Sequence, residues 1–266
     1  MEWLTTPREN PPQMAVFDFD GTISTLRQGW ETIMRPLMLE VIAPGGADDA
    51  LEREVDDYID RSTGIQTVYQ MQWLAERVKS YGQNPVCADA WDYKDEYNRR
   101  LKTYIRDRLN AVRSGAVPPE EFLIAGSVEF LQRLKKSGTK LYVASGTDHE
   151  DVVSEVAVLA LSGFFDGIAG APHRQAACSK EAVIRNLLEK QNMLGQALMV
   201  VGDGKVEITL GKEAGAFTVG TATDEAVRRG INEVKRRRLI EAGADLIIGD
   251  FTGAADIFTA WKEEEV

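Results

Sequence analysis

Residues 14–22 read Met14-Ala15-Val16-Phe17-Asp18-Phe19-Asp20-Gly21-Thr22. The apolar run Met14–Phe17 is the pattern of a strand buried on both faces. It ends in two carboxylates one residue apart, followed by Gly-Thr. Further runs of the same kind occur at Lys140–Ala144, Gly167–Gly170, Ala197–Val201, Ala216–Val219 and Ala244–Ile248. Helical periodicity separates them. Ser127–Lys136 carries Val128, Leu131 and Leu134 on one side, with Gly138 placed to end the helix, and Lys180–Lys190 carries Val183, Leu187 and Leu188. Strands alternating with helices imply a three-layer α/β fold with a parallel, Rossmann-like sheet.

One stretch departs from this rhythm. From Ser24 to Gly115 the text is amphipathic and helical; Thr67–Lys79, for example, aligns Val68, Met71, Leu74 and Val78. The expected organisation is therefore a core domain of residues 14–23 and 116–266, an all-α domain inserted at 24–115, and a disordered or extended lead at 1–13, where Pro7, Pro11 and Pro12 fall.

Ligands of open parallel sheets bind beyond the carboxyl ends of the strands. The first strand delivers Asp18 and Asp20 there. The second delivers Ser145-Gly146-Thr147-Asp148, and the fourth Gly202-Asp203-Gly204-Lys205-Val206-Glu207. A lone Asp at a strand end is ordinarily a turn or cap residue. Four carboxylates in one crevice repel one another, which points to a divalent cation among them.

Taken in order, VFDFDGT, VASGT, the lysine of SKEAVI and VGDGKVE resemble the motifs of the haloacid dehalogenase-like (HAD) superfamily, and they span Asp18 to Glu207. The surrounding text, GFFDGIAGA and EAGAFTVGTATDE, is most similar to the phosphoglycolate phosphatase and β-phosphoglucomutase branch, in which a helical cap follows the first motif. The resemblance implies Asp18 as nucleophile and Asp20 as general acid and base. It implies Lys180 as the charge that stabilises Asp18 and the phosphoryl group, and Ser145 with the Gly146 amide as phosphoryl ligands. Thr22 would position the first loop beside the substrate. Mg²⁺ would be held by Asp18, the Asp20 carbonyl and Asp203. Glu207 stands where Asp is usual; one methylene longer, it reaches the metal through water or orients Lys180. Asp20 itself distinguishes phosphate-ester chemistry from the dehalogenases, phosphonate-cleaving members and transport ATPases of the superfamily, which lack an Asp there.

The polar segment Asp60–Gln66 interrupts the helical text. As a cap loop dipping into the site, it would bring Arg61 to a second anionic group of the substrate and Gln66 to a hydroxyl; as a plain helix connection it would do neither. The expected activity is a Mg²⁺-dependent phosphatase acting on a sugar phosphate or short organic acid phosphate. A β-phosphoglucomutase-type phosphomutase and a non-catalytic scaffold are the alternatives.

Composition bounds the rest. The 266 residues are roughly 1.8 domains' worth. Lys and Arg number 31 against 42 Asp and Glu, a net charge of −11 that disfavours nucleic acid and anionic membranes as partners. The basic residues at 99–108 and 228–238 therefore read as solvated helix faces pairing with acids such as Glu225, Glu233 and Glu241. No apolar run has the length of a membrane span or a secretory signal, and Cys87 and Cys178 form no disulfide or zinc pattern, so the cytoplasm is the default. A monomer and a homodimer are both compatible with the text. His149 reads as a helix start, and the five tryptophans as packing residues, with Trp30 near enough to the first motif to line a cleft.

Overall fold

In the computed structural model, residues 1–8, 10–176, 179–191 and 195–261 are described; Cys178 lies outside them. Seven strands form one sheet: β1 (Glu2–Trp3), β2 (Met14–Phe17), β3 (Lys140–Asp148), β4 (Gly167–Ala171), β5 (Leu198–Gly202), β6 (Phe217–Thr221) and β7 (Leu246–Ile248). Their order is β1-β7-β6-β5-β2-β3-β4, parallel throughout except for β1. Strands β5, β2 and β3, whose ends carry the polar motifs, are thus adjacent at the centre.

Alternation along the central strands builds two cores. Ala15 and Phe17 of β2, with Met199 and Val201 of β5, join one cluster with helices α5 (Ser127–Lys136), α6 (His149–Val158) and α10 (Ala255–Ala260). Met14, Val16, Leu198 and Val200 point the other way, against α7 (Ser179–Gln191) and α8 (Lys205–Glu213). A further helix, α9 (Glu233–Glu241), packs on β6 and β7. Both faces of the strands are apolar because both are covered.

Between β2 and α5 no strand occurs among the described residues. Instead α1 (Glu31–Ile42), α2 (Asp49–Arg61), α3 (Thr67–Tyr81) and α4 (Ala90–Arg113) surround their own core, which includes Met34, Leu37, Val55, Met71, Leu74, Tyr97 and Leu101. Asp89 starts α4 by accepting from the Trp91 and Asp92 amides at 2.8 and 2.9 Å, and Asp48 starts α2 by accepting from Leu51 at 2.8 Å.

Two details go beyond the expected text. Within the lead, Glu2–Trp3 is extended and adds an antiparallel edge strand to β7. Trp3 packs on Phe217 with ring centroids 5.9 Å apart, and Arg236 of α9 holds Glu2 at 2.7 Å, so local burial and pairing offset the cost of ordering. Strand β3 is also longer than its apolar run. It continues past Ala144 through an irregular register to pair Asp148 with Ala171.

Phe130 anchors the larger core, with ring centroids 5.0 Å from Phe251 and 5.4 Å from Phe258. Phe130→Ala is expected to cost about 3–5 kcal/mol in urea unfolding, through lost burial and a residual cavity. A loss below about 1 kcal/mol would mean this cluster does not carry the core.

Candidate active site

Asp18 extends β2 by one residue: its amide still donates to the Val201 carbonyl at 2.9 Å, so its place is fixed by the sheet. One carboxylate oxygen, Oδ1, accepts from the Phe19 amide at 2.8 Å, and Oδ2 accepts from Lys180 Nζ at 3.0 Å. Lys180, in the first turn of α7, is 4% exposed and also donates to Glu207 Oε1 and, at 3.2 Å, to the Gly64 carbonyl. Glu207 thus pairs with Lys180 through Oε1, while its Oε2 is buried without a hydrogen-bond partner. Glu207 rises from the first turn of α8 and folds back over Gly202, where an added Cβ would lie 2.7 Å from its side chain.

Asp20 sits beside Asp18 in a different setting. Thr147 Oγ1 donates to its Oδ2 at 2.8 Å, whereas Oδ1 is buried without a hydrogen-bond partner, 3.8 Å from Arg27 Nε. Arg27 is committed elsewhere, pairing with Glu155 at 2.7 Å and lying 3.7 Å from Asp151, both on α6. Burial pushes the carboxyls of Asp18 and Asp20 up to about 6, against the opposing pull of Lys180 and Arg27 respectively.

Asp203, just past β5, comes close to the first loop because residue 21 is glycine. Gly21 has φ +73°, and a Cβ there would lie 2.3 Å from Asp203 Oδ2. Asp203 Oδ1 is 3.4 Å from the Thr22 hydroxyl, and Oδ2 accepts from Lys235 Nζ at 2.7 Å. Lys235 comes from α9 and also donates to Glu225 Oε1 at 2.5 Å. Its two carboxylate neighbours raise its pKa despite burial, while burial raises that of Glu225.

These groups open on a small cleft of about 110 Å³, lined by Asp18, Asp20, Ser145, Gly146, Lys180 and Asp203 on the sheet side. Ser145 is 1% exposed, and its Oγ accepts from the Thr147 amide at 3.1 Å. The loop after α2 reaches in from the helical insertion: a Cβ on Gly146 would lie 3.3 Å from the Ile65 carbonyl oxygen. Trp30 also lines the cleft.

Four expected site residues, Thr22, Glu207, Arg61 and Gln66, do not line it; Gln66 is buried just before α3. Thr22 is fully buried and links Asp203 to Thr221, whose hydroxyl donates to it at 3.4 Å, so it positions rather than touches a ligand. Glu207 lies behind Lys180. Arg61 is exposed at the end of α2, its guanidinium carbon 5.8 Å from the Tyr58 ring centroid, because the turn that brings Gly64 and Ile65 inward carries residue 61 outward. His149 starts α6 as expected, its Nδ1 accepting from the Gly170 amide at 3.3 Å.

Sequence reasoning missed Arg27, Thr147, Glu225 and Lys235 as site residues. It also read the crowding of carboxylates as requiring a divalent cation. In the structure Lys180, Lys235 and Arg27 also sit among them, each shared between two or three carboxylates.

The chain belongs to the haloacid dehalogenase-like hydrolases, whose family model matches residues 13–215. Among curated proteins no match was found. Similar solved structures include one described as a predicted phosphoglycolate phosphatase from Haemophilus somnus 129PT, at 18% identity over 92% of this chain and 97% of that one, with a TM-score of 0.62. A β-phosphoglucomutase from Clostridium difficile has 15% identity over 93% and 97%, also with a TM-score of 0.62. A HAD-hydrolase from Bacillus subtilis described as bound to magnesium has 14% identity over 94% and 100%, with a TM-score of 0.57. At these identities the likeness is one of fold.

Asp18 and Asp20 bind protons more tightly in the folded chain than in the unfolded one. Their contribution to stability is therefore present below their ordinary pKa near 3.8 and is lost as pH rises through about 6. Asp20→Asn removes that cost, so without added metal its melting temperature should exceed wild type at about pH 7, with the gain fading toward about pH 4.5. A pH-independent difference in scanning fluorimetry would contradict this assignment.

Proposed function

We propose that the protein is a Mg²⁺-dependent phosphatase of small phosphomonoesters, working through a phosphoryl group carried on Asp18. The observation that carries this reading is the pairing of two neighbouring carboxylates with unlike partners. Asp18 is held by Lys180 and the Phe19 amide, which favour a charged nucleophile, whereas Asp20 has a buried oxygen without a donor, which favours a proton.

Asp18 attacks phosphorus, forming an Asp18–phosphorus bond through oxygen as the bond to the leaving alcohol breaks. Asp20 gives its proton to that alcohol oxygen. Water then attacks phosphorus, Asp20 takes up a proton from it, and the bond to Asp18 breaks, releasing phosphate and restoring both carboxyls. Lys180 and the groups of Ser145 and Gly146 stabilise the equatorial oxygens, and Glu207 keeps Lys180 aimed at Asp18. The α1–α4 unit serves as the cap, its Gly64–Ile65 turn closing over Gly146 to exclude water during the first transfer.

The residues fit a divalent cation. No three His, Cys, Asp or Glu side chains converge as a ligand set among the described residues. Gly21, however, lets the Asp203 carboxylate lie against the first loop, and Asp18, Asp203 and the Asp20 carbonyl are the hard oxygen donors Mg²⁺ prefers. Those three would hold it, with Asp203 Oδ1 left open by Lys235. When bound, the ion supplies charge neutralisation at the phosphoryl oxygens.

Phosphate release from a panel of phosphomonoesters, with and without Mg²⁺, tests the reading. Wild type should release phosphate only with the metal, and Asp18→Asn should lose at least about three orders of magnitude in kcat while keeping the wild-type fold by circular dichroism. Turnover by Asp18→Asn at the wild-type rate would refute the nucleophile.

A further inference from the structure

Among the described residues, the cations lining the cleft, Lys180 and Arg27, are committed to carboxylates, as is Lys235 beside Asp203. Lys180 is shared between Asp18 and Glu207. Arg27, buried, has Glu155, Asp151 and Asp20 around it. Lys235 lies between Asp203 and Glu225. Other basic groups nearby are occupied or face away: Arg61 stacks on Tyr58, Arg238 reaches Asp60 at 3.5 Å and the Asp203 carbonyl at 3.4 Å, Lys94 pairs with Asp148, and Arg108 donates to the Leu26 and Gln28 carbonyls at 2.8 and 2.9 Å.

The side of the cleft away from the strand ends has a different character. Gln28, Trp30, Ile65, Thr67, Tyr97 and Leu101 line it, and none carries a charge. Tyr97 is 4% exposed, and burial raises its hydroxyl pKa further, so it stays neutral. Glu225, which also lines the cleft, is an acid paired with Lys235.

A substrate seated with its phosphorus at Asp18 therefore projects its alcohol portion toward amides, hydroxyls and aromatic faces. A carboxylate or second phosphate on that portion would leave water for a wall with no uncommitted cation among the described residues, beside Asp20, Asp203 and Glu225. Burying an anion without a partner is strongly unfavourable. A neutral polyol or sugar loses little there: its hydroxyls find the amide and hydroxyl groups, and its C–H faces pack on Trp30 and Tyr97.

We propose that the leaving group of the natural substrate is a neutral, polyhydroxylated alcohol, and that esters bearing a carboxylate or second phosphate are rejected. This deepens the phosphatase reading and rests on it. It removes the short-acid phosphates from the expected substrates. It also weighs against the mutase alternative, because placing the phosphoryl group on a sugar phosphate makes a bisphosphate in this cleft.

The test compares glycerol phosphate with phosphoglycerate, a pair that differs in a hydroxymethyl group against a carboxylate, together with a sugar monophosphate and its bisphosphate. Turnover is followed by phosphate release, with an aryl phosphate as reference, and binding by calorimetry on Asp18→Asn. The neutral member of each pair should win by at least about tenfold in kcat/KM and in affinity. Gln28→Lys, which supplies a cation on the neutral wall, should narrow that gap about tenfold. Equal or tighter binding of phosphoglycerate or the bisphosphate to Asp18→Asn would overturn the inference, whatever the turnover. Absence of phosphate release from every ester, the aryl phosphate included, would instead overturn the phosphatase reading on which it rests.

Discussion

The ends of two adjacent parallel strands, β2 and β5, bring Asp18, Asp20 and Asp203 to one crevice, and like charges this close in a poorly hydrated place repel strongly. The remainder of the site is arranged around that repulsion. Lys180 bridges Asp18 and Glu207, Lys235 bridges Asp203 and Glu225, and Arg27 stands between Asp20 and the acids of α6. Each cation comes from a different element. The local ion pairs therefore also tie α7, α9 and the segment after the first motif to the sheet.

This arrangement separates two carboxylates by their partners. Both are buried and both are raised toward 6, yet Asp18 has a lysine and an amide as donors, whereas Asp20 has a threonine hydroxyl and one oxygen without any donor. Unlike environments for adjacent carboxyls are what a nucleophile and a proton carrier need. Among the described residues lining the cleft, the same pairing leaves neither Lys180 nor Arg27 without a carboxylate partner, which is what the proposed specificity rests on. Catalytic and selective features here share one charge count.

The parallel sheet was legible because strands buried on both faces are continuous apolar runs, and the crevice because polar motifs follow three of them. The helical insertion was legible from its periodicity. Glu2–Trp3 was not, since two residues carry no period and their strand exists only through contacts with β7 and Phe217. Lys235 was hidden in a basic run whose neighbours do face solvent acids: Arg236 holds Glu2 and Glu233, so only the packing of α9 on β6 and β7 decides that Lys235 turns inward. Arg27 stands alone in a loop, and nothing in its spacing tells that Glu155, 128 positions away, will lie beside it. Arg61 shows the converse. The loop expected to enter the site does enter, but through the backbone of Gly64 and Ile65, while the arginine one turn earlier points out.

The proposed catalysis requires that a phosphoryl group pass through Asp18. Asp20→Asn lacks the carboxyl that helps water attack but can still accept a phosphoryl group from an aryl phosphate, whose leaving group needs no proton. Incubated with that ester and Mg²⁺, quenched in acid and digested, this variant should yield the peptide containing Met14–Thr22 with one phosphoryl group on Asp18. Phosphate release by wild type without any such adduct in the variant, or an adduct on another residue, would contradict it.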